Sequence, residues 1–367
     1  MFSATDEKMM QRAIDLARLG RFTTPPNPSV GCVIAQADRI VGEGWHRKAG
    51  EAHAEPIALN AAGELARGAT AYVTLEPHCH QSRTPPCTDA LIRAGVARVV
   101  CATLDFNPMV HGRGVEQLRA AGIEVEVGLL EHEARELNLG FSKRMQSGLP
   151  RVIVKIGASL DGRTALANGE SRWITGDQAR ADVQRLRAAA GAVVTGVATV
   201  LADDPQLTVR DPAIEMLGRR PLRVIVDSSL RTPKTARLLR EEGETLIFTC
   251  GNDASAMHAL TAAGAKVLSV QPDVHGRVDL HEMLSVLGHL QCNDVLIEAG
   301  ATLAGRIIEQ SLADELIVYM APSLLGPQAR PMLQFAQLER LANRLQWRFL
   351  SSEKVGDDLK LVLRPQS

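Results

Sequence analysis

Aromatic side chains make up only 3% of the 367 residues, and the formal net charge is −1. Nucleic-acid sites need cationic grooves and stacking surfaces, so these two shortages argue against an RNA- or DNA-editing module. They also leave no general attraction to an anionic membrane, although a local basic patch is compatible with them. No uninterrupted apolar run is long enough to span a bilayer. The opening MFSATDEKMMQRAIDLARLG carries acidic residues and lacks a signal-type apolar core, so a cytoplasmic location is expected. Cysteine is scarce and scattered, six in the whole chain. That excludes a disulfide framework and leaves the thiols to bind metal or to pack in a reducing compartment. What is present is the composition of a globular protein, 45% hydrophobic and 23% charged. The chain is too long for one ordinary core, which implies two domains.

Helix and strand signals alternate along the first half. TDEKMMQRAIDLARLG reads as a capped helix ending at Gly20, and SVGCVIAQADRIVGEGWH as two strands about a turn at Asp38. AEPIALNAAGELARG is helical to Gly68, TAYVTLEP is a strand, and CTDALIRAG opens a helix behind two prolines. ARVVCATLD, GVEQLRAAG and IEVEVGLL follow as strand, helix and strand, and EHEARELNLGFSKRMQSG as one closing helix. The pattern restarts at SGLPR with strand RVIVKIGAS, so a boundary is expected near Gly148–Pro150. Strands separated by helices in both halves predict an α/β fold with mainly parallel sheets, the last hairpin, WRFLSSEKVGDDLKLVLR, adding an antiparallel edge.

The stretch TLEPHCHQSRTPPC concentrates His78, Cys79, His80 and Cys87. A zinc deaminase needs three protein ligands, an open fourth position, and a carboxylate that is not a ligand to move the proton. His53 in HAE can supply a nitrogen, with Glu55 as the proton shuttle if His53 sits at the helix start. Cys87 begins a helix, where the positive end favours a thiolate. Alone, HAE reads as a surface helix and a lone Cys as a small buried hydrophobe. Joined by a strand ending in LEP, they read as a metal site.

The order HAE, TLEP, TPPC resembles the cytidine-deaminase superfamily. The fuller set TTPPNPSVGCVI, GEGWHRKAGEAHAE, GATAYVTLEP and RTPPC resembles the bifunctional deaminase–reductase family of riboflavin biosynthesis. That family usually reads PCSHxGRTPPC; here His78 fills the ligand-cysteine slot, Cys79 the next, and Ser82 replaces glycine. Ungapped, the resemblance implies zinc on His53, His78 and Cys87, with His80 beside the site. A shift of the loop by one residue would make Cys79 the ligand instead. It implies that Asn27 contacts the pyrimidine and that His46 lies nearby. Asp105 and Asn107 stand in DFNP where the family has DPNP, and serve either the site or a turn.

In the second half, IEAGATLAGR is a strand running into a helix at small residues, which offers free N–H groups to a phosphate. LADDPQLTVR sets Arg210 beside acidic residues. With VKIGASLDGRTAL and GESRWITG these resemble the reductase half of the same family. The resemblance implies two domains. Residues 1–148 would form a cytidine-deaminase-like α/β/α sandwich, and residues 149–367 a dihydrofolate-reductase-like, mainly parallel sheet with flanking helices. It implies NADPH contacts at Gly157, Trp173, Thr199, Asp203, Ser228 and Gly300, Ala301, Thr302, Leu303, Ala304, Gly305, Arg306 and Ile307. Substrate contacts are implied at Ser171, Arg187, Leu207, Arg210 and Glu298, with Lys155 facing the site. The implied partners are small phosphoribosylaminopyrimidines and further copies of the chain, with no nucleic acid and no membrane. The implied chemistry is deamination followed by NADPH-dependent reduction. A reductase with a relic deaminase half is the competing reading that PHCH suggests.

Overall fold

Successive residues of a strand face opposite sides of a sheet, and in both halves of this chain both sets are apolar. Each sheet is therefore covered on two faces. The computed structural model describes residues 2–81 and 85–366. The chain divides into two compact units, Met1–Gly148 with Glu215–Arg219, and Leu149–Ile214 with Arg220–Ser367.

The first unit runs α1 (Ala4–Leu19), β1 (Gly31–Gln36), β2 (Arg39–Trp45), α2 (Ala54–Ala62), β3 (Thr70–Val73), α3 (Cys87–Ala94), β4 (Arg98–Cys101), α4 (Arg113–Ala120), β5 (Glu124–Val127), α5 (Glu131–Leu137) and α6 (Leu139–Ser147). Ser3 caps α1 in a reciprocal box, its Oγ accepting from the Asp6 N–H. The strand order is β2-β1-β3-β4-β5. This sheet is not mainly parallel: β1 is antiparallel to both β2 and β3, while β3, β4 and β5 are parallel. The short turn at Ala37–Asp38 folds β2 back on β1. Helix α2 then carries the chain over β1, so β3 runs with β2 and against β1. Cys32, Ile34, Val73 and Val99 pack against α2, α3 and α4 on one face. Val33, Tyr72 and Val100 pack against α1 and α5 on the other, completing an α/β/α sandwich.

Two glycines seat α2 on β2. A Cβ on Gly42 would lie 2.2 Å from the Ala58 carbonyl oxygen, and one on Gly44 2.4 Å from that of Ala54. The closing helix expected over 131–147 is two helices, broken at Asn138. The reason is tertiary: the buried Asn138 amide accepts from the Ser29 N–H and donates to the Ser29 carbonyl, which holds its backbone out of helical register.

The second unit runs β6 (Arg151–Ser159), β7 (Arg163–Ala165), α7 (Asp177–Ala189), β8 (Ala192–Gly196), α8 (Val197–Asp203), β9 (Leu222–Val226), β10 (Thr245–Thr249), α9 (Ala254–Ala262), β11 (Ala265–Ser269), α10 (Leu280–His289), β12 (Asp294–Ile297), α11 (Ala301–Glu309), β13 (Glu315–Ala321), β14 (Arg330–Pro331), β15 (Trp347–Val355) and β16 (Asp358–Pro365). Nine strands order as β11-β10-β9-β8-β12-β6-β13-β16-β15. The first seven are parallel, and the terminal hairpin adds the antiparallel edge. Val152, Val154, Val224 and Phe248 meet α10 and α11 on one face. Ile225 and Ile247 meet α8 and α9 on the opposite face, where Ile317 and Tyr319 meet α7. Among the described residues no helix is long and apolar enough to cross a membrane.

Candidate functional site

In the first unit the ends of β2 and β3 and the starts of α2 and α3 meet. His53 is the N-cap of α2, in extended conformation, so it escapes helical geometry and can converge with Glu55 in the first turn. Cys87 is the first residue of α3, and its N–H and that of Thr88 donate to the His78 carbonyl, pinning the PHCH loop to the helix start. His78 Nδ1 lies 3.1 Å, and His53 Nδ1 3.4 Å, from Cys87 Sγ. Donor atoms of these three residues all fall within 4.8 Å of one another, and Cys79 is not in the group. Zinc–nitrogen and zinc–sulfur bonds meeting at a tetrahedral angle separate N from S by about 3.5 Å. The observed separations are within a few tenths of an ångström of that, so His53, His78 and Cys87 fit zinc.

Glu55 is buried, and one carboxylate oxygen, Oε2, has no hydrogen-bond partner. Burial raises its carboxyl to about 7, the range a general acid–base needs. Burial also pulls His53 down to about 4, with His78 and His46 adding to it. The expectation that the helix start lowers the Cys87 thiol is overturned: burial, then the nearby Glu55, push it well up. A dication among these donors reverses that preference, because ligands bind deprotonated.

His46 Nδ1 lies 3.1 Å from the Ala52 carbonyl, which can only accept, so Nδ1 carries the proton. His46 Nε2 therefore accepts from Asn27 Nδ2 at 3.0 Å. The His46 ring sits 5.1 Å from that of His53, so Asn27 and His46 belong to the same cluster. The His80 ring lies 5.9 Å from that of His78. Asp105 and Asn107 make turns, accepting from the N–H of Asn107 and Met109 respectively. Ser82, Arg83 and Thr84 lie outside the described residues. Glu76 of the LEP run carries an unanticipated role: its buried carboxylate accepts from the N–H groups of Asp105, Gly112 and Val115, tying the loop before α4 to the end of β3.

In the second unit a cleft of about 1280 Å³ opens at the C-terminal ends of the parallel strands, where α/β sheets bind ligands. Gly157, Trp173, Thr199, Asp203, Ser228, Ser171, Arg187, Leu207, Arg210, Glu298 and Lys155 all line it. Of the run at the start of α11, Gly300, Ala301, Thr302, Leu303 and Arg306 line the cleft, but Ala304, Gly305 and Ile307 do not. Helical periodicity turns Ala304 and Ile307 into the core, and Gly305 lies against the Gln334 backbone.

Glu298, just past β12, is the cleft's buried carboxylate. Arg187 donates to it through Nε at 2.5 Å and Nη2 at 3.0 Å, and Lys155 Nζ sits at 3.1 Å. Burial alone would raise its carboxyl; the Arg187 and Lys155 charges outweigh that and hold it at about 2. Arg187 Nη1 donates to the Thr208 carbonyl, so this arginine is committed to protein partners. Arg231, Arg237, Arg277 and Arg330 also line the cleft. An exposed arginine carries no local signature, and only the strand order collects them.

Two family models match. "RibD C-terminal domain" covers residues 150–361, and "Cytidine and deoxycytidylate deaminase zinc-binding region" covers residues 3–103. The chain is 50% identical over 367 residues to the riboflavin biosynthesis protein RibD of Escherichia coli, covering 98% of this chain and 99% of that protein. It is 46% identical over 374 residues to the Haemophilus influenzae RibD, covering 100% and 99%. Among solved structures, Acinetobacter baumannii RibD superposes with a TM-score of 0.91 at 46% identity over 99% of both chains. A Thermotoga maritima diaminohydroxyphosphoribosylaminopyrimidine deaminase/5-amino-6-(5-phosphoribosylamino)uracil reductase does so at 0.87 and 32% identity, again over 99% of both. A zinc-binding deaminase region and a reductase domain thus stand in one chain matched along its length, which belongs to the bifunctional, zinc- and NADPH-dependent deaminase–reductase family of riboflavin biosynthesis.

Proposed function

We propose that the first unit hydrolyses the 2-amino group of 2,5-diamino-6-(5-phosphoribosylamino)pyrimidin-4(3H)-one. The second unit then reduces 5-amino-6-(5-phosphoribosylamino)uracil to its ribityl product. The observation that carries the reading is the convergence of His53, His78 and Cys87 beside a buried Glu55 poised near neutrality. The imidazoles of His53 and His78 and the thiolate of Cys87 would hold zinc. Bound zinc supplies the Lewis acidity that makes a water nucleophilic near neutral pH. Glu55 takes the proton of the attacking water and returns it to the departing amine, which leaves as ammonia. Asn27, oriented by His46, hydrogen-bonds the pyrimidine edge.

In the second unit NADPH supplies the hydride. The free N–H groups at the start of α11 would hold its pyrophosphate, with Gly157, Trp173, Thr199, Asp203 and Ser228 lining the same cleft. Ser171, Leu207 and Arg210 receive the substrate, Arg210 pairing with its phosphate. Arg187 and Glu298 hold Lys155 in place toward the sugar. The enzyme works in the cytoplasm as an assembly of identical chains. The edge strand β15, with Phe349 and Leu350 exposed, supports that self-association.

The test is zinc content and turnover of the full chain beside Glu55→Gln. The variant keeps its zinc and loses deamination by roughly 10²–10⁴-fold, while reduction of pre-deaminated substrate stays near wild type. A wild-type protein that takes up no zinc and deaminates nothing at saturating zinc overturns the deaminase assignment.

A further inference from the structure

We propose that Asp358, on the C-terminal hairpin, is a positioning residue for the reduction, anchoring the strap over residues 171–176 that carries Ser171 and Trp173 into the cleft; this rests on reading the second-unit cleft as the site of NADPH and substrate. The strap lies in no helix or strand, and Ser171, Trp173 and Thr175 line the cleft. Trp173 is 70% exposed, so burial of its ring does not hold it. What holds it is α7. The Arg180 guanidinium, in the first turn of that helix, stacks on the indole at 4.4 Å from the ring centroid, and its Nη1 donates to the Thr175 carbonyl. The start of α7 thus sets the place of the strap.

That start lacks a cap of its own. Gly176 is its N-cap, in extended conformation, and glycine has no side-chain acceptor to offer. The Asp358 carboxylate supplies one from 182 positions away, its Oδ2 accepting from the Gly176 N–H at 2.7 Å. The positive end of the helix favours a negative group there. Asp358 is only 2% exposed, which leaves its side chain little room to turn away. The hairpin tip is seated to deliver it. Gly356 has a φ of +66°, and a Cβ on it would lie 3.2 Å from Gln178 Cβ, so the tip packs on the first turn of α7. Lys360 is two residues beyond Asp358 on the same face of β16. Its Nζ lies 2.8 Å from Asp182 Oδ2, which also accepts from the Tyr319 hydroxyl at 2.6 Å. Strand β16 therefore grips α7 twice, at Asp182 along its length and at Gly176 where the strap ends. The grip at Gly176 is the one that touches the strap.

The experiment measures kcat and KM for reduction of pre-deaminated substrate by NADPH, and deamination by the same preparations. It compares the full-length wild type with Asp358→Ala, Asp358→Asn, Gly176→Pro and Lys360→Met. Asp358→Ala lowers kcat of reduction roughly tenfold to a hundredfold through misplacement of the reactants, while deamination stays within about twofold. Asp358→Asn, whose amide oxygen still accepts from the Gly176 N–H, recovers most of the rate. Gly176→Pro removes the same hydrogen bond from the donor side, at a φ of −71° that proline adopts. It slows reduction as Asp358→Ala does, and the double variant is no slower than the slower single. Trp173 reports on the strap directly. The anisotropy of its emission, taken as the difference from the matching Trp173→Phe protein, falls in Asp358→Ala but not in Lys360→Met, which loosens α7 without releasing the strap. An Asp358→Ala protein with wild-type kcat or wild-type Trp173 anisotropy, or one that Lys360→Met matches in both, overturns the proposal. Where Asp358→Ala does not fold, Gly176→Pro against Gly176→Ala, which keeps the N–H, decides by the same two readings. A wild type that reduces nothing with NADPH refutes the reading of the cleft instead, and the anisotropy still tests the anchor.

Discussion

Replacing Glu298 with glutamine removes one negative charge from between two cations, without changing side-chain volume. Arg187 and Lys155 have side chains only 11% and 18% exposed, so water cannot compensate them fully. Breaking a buried pair by removing one partner costs about 3–5 kcal/mol. A second route reaches a similar figure. A carboxyl held at about 2 against an ordinary 4.5, at 1.36 kcal/mol per pH unit, corresponds to roughly 3 kcal/mol. The sign follows from the depressed value. The unfolded chain binds the proton first as pH falls, so the stabilisation is fully present above about 4.5 and is lost as pH drops toward about 2. The assay is urea unfolding of wild type and Glu298→Gln across that range, following the transition that NADPH shifts upward and that therefore belongs to the reductase unit. The expected deficit is about 3 kcal/mol at pH 7, shrinking steadily between pH about 4.5 and about 2. A deficit below about 1 kcal/mol, or one that does not change with pH, refutes the claim that this carboxylate is held by charge in a dry site.

Two further outcomes follow from the first unit. His78→Ala loses zinc while Cys79→Ala keeps it, read by metal content after dialysis; the reverse result would mean that the loop presents Cys79 to the metal. Gly44→Ala changes no ligand, yet its new Cβ meets the carbonyl oxygen of Ala54, the residue between His53 and Glu55. The clash costs about 1–3 kcal/mol of stability and displaces the start of α2. Zinc affinity and deamination therefore fall at least roughly tenfold, as for a damaged support of a metal site, and unimpaired zinc binding would count against this route.

Much of the element order was legible because its signals are local. Gly20 ends α1, and the turn at Asp38 marks the first hairpin. Short apolar runs mark the strands, and each such signal acts within a few residues of itself. The short β7, α8 and β14 carry too little pattern to be read in that way. Strand direction in the first sheet was not legible either, because it depends on which strand α2 crosses. The break at Asn138 depends on Ser29, 109 positions away.

The candidate sites divide along the same line. HAE, TLEP, the cysteine cluster and IEAGATLAGR announce donors and a phosphate-accepting helix start from residue type and spacing alone. The choice between two neighbouring side chains is different in kind. His78 joins His53 and Cys87 because the start of α3 pins the loop through the His78 carbonyl. In the other unit Arg187 is taken up by Glu298, which chain position alone does not indicate. Sequence by itself determined which chemical groups this protein owns and the local elements that carry them. Tertiary structure decided which groups meet, because meeting depends on strand order and helix seating across dozens of residues, and burial then set their charge states.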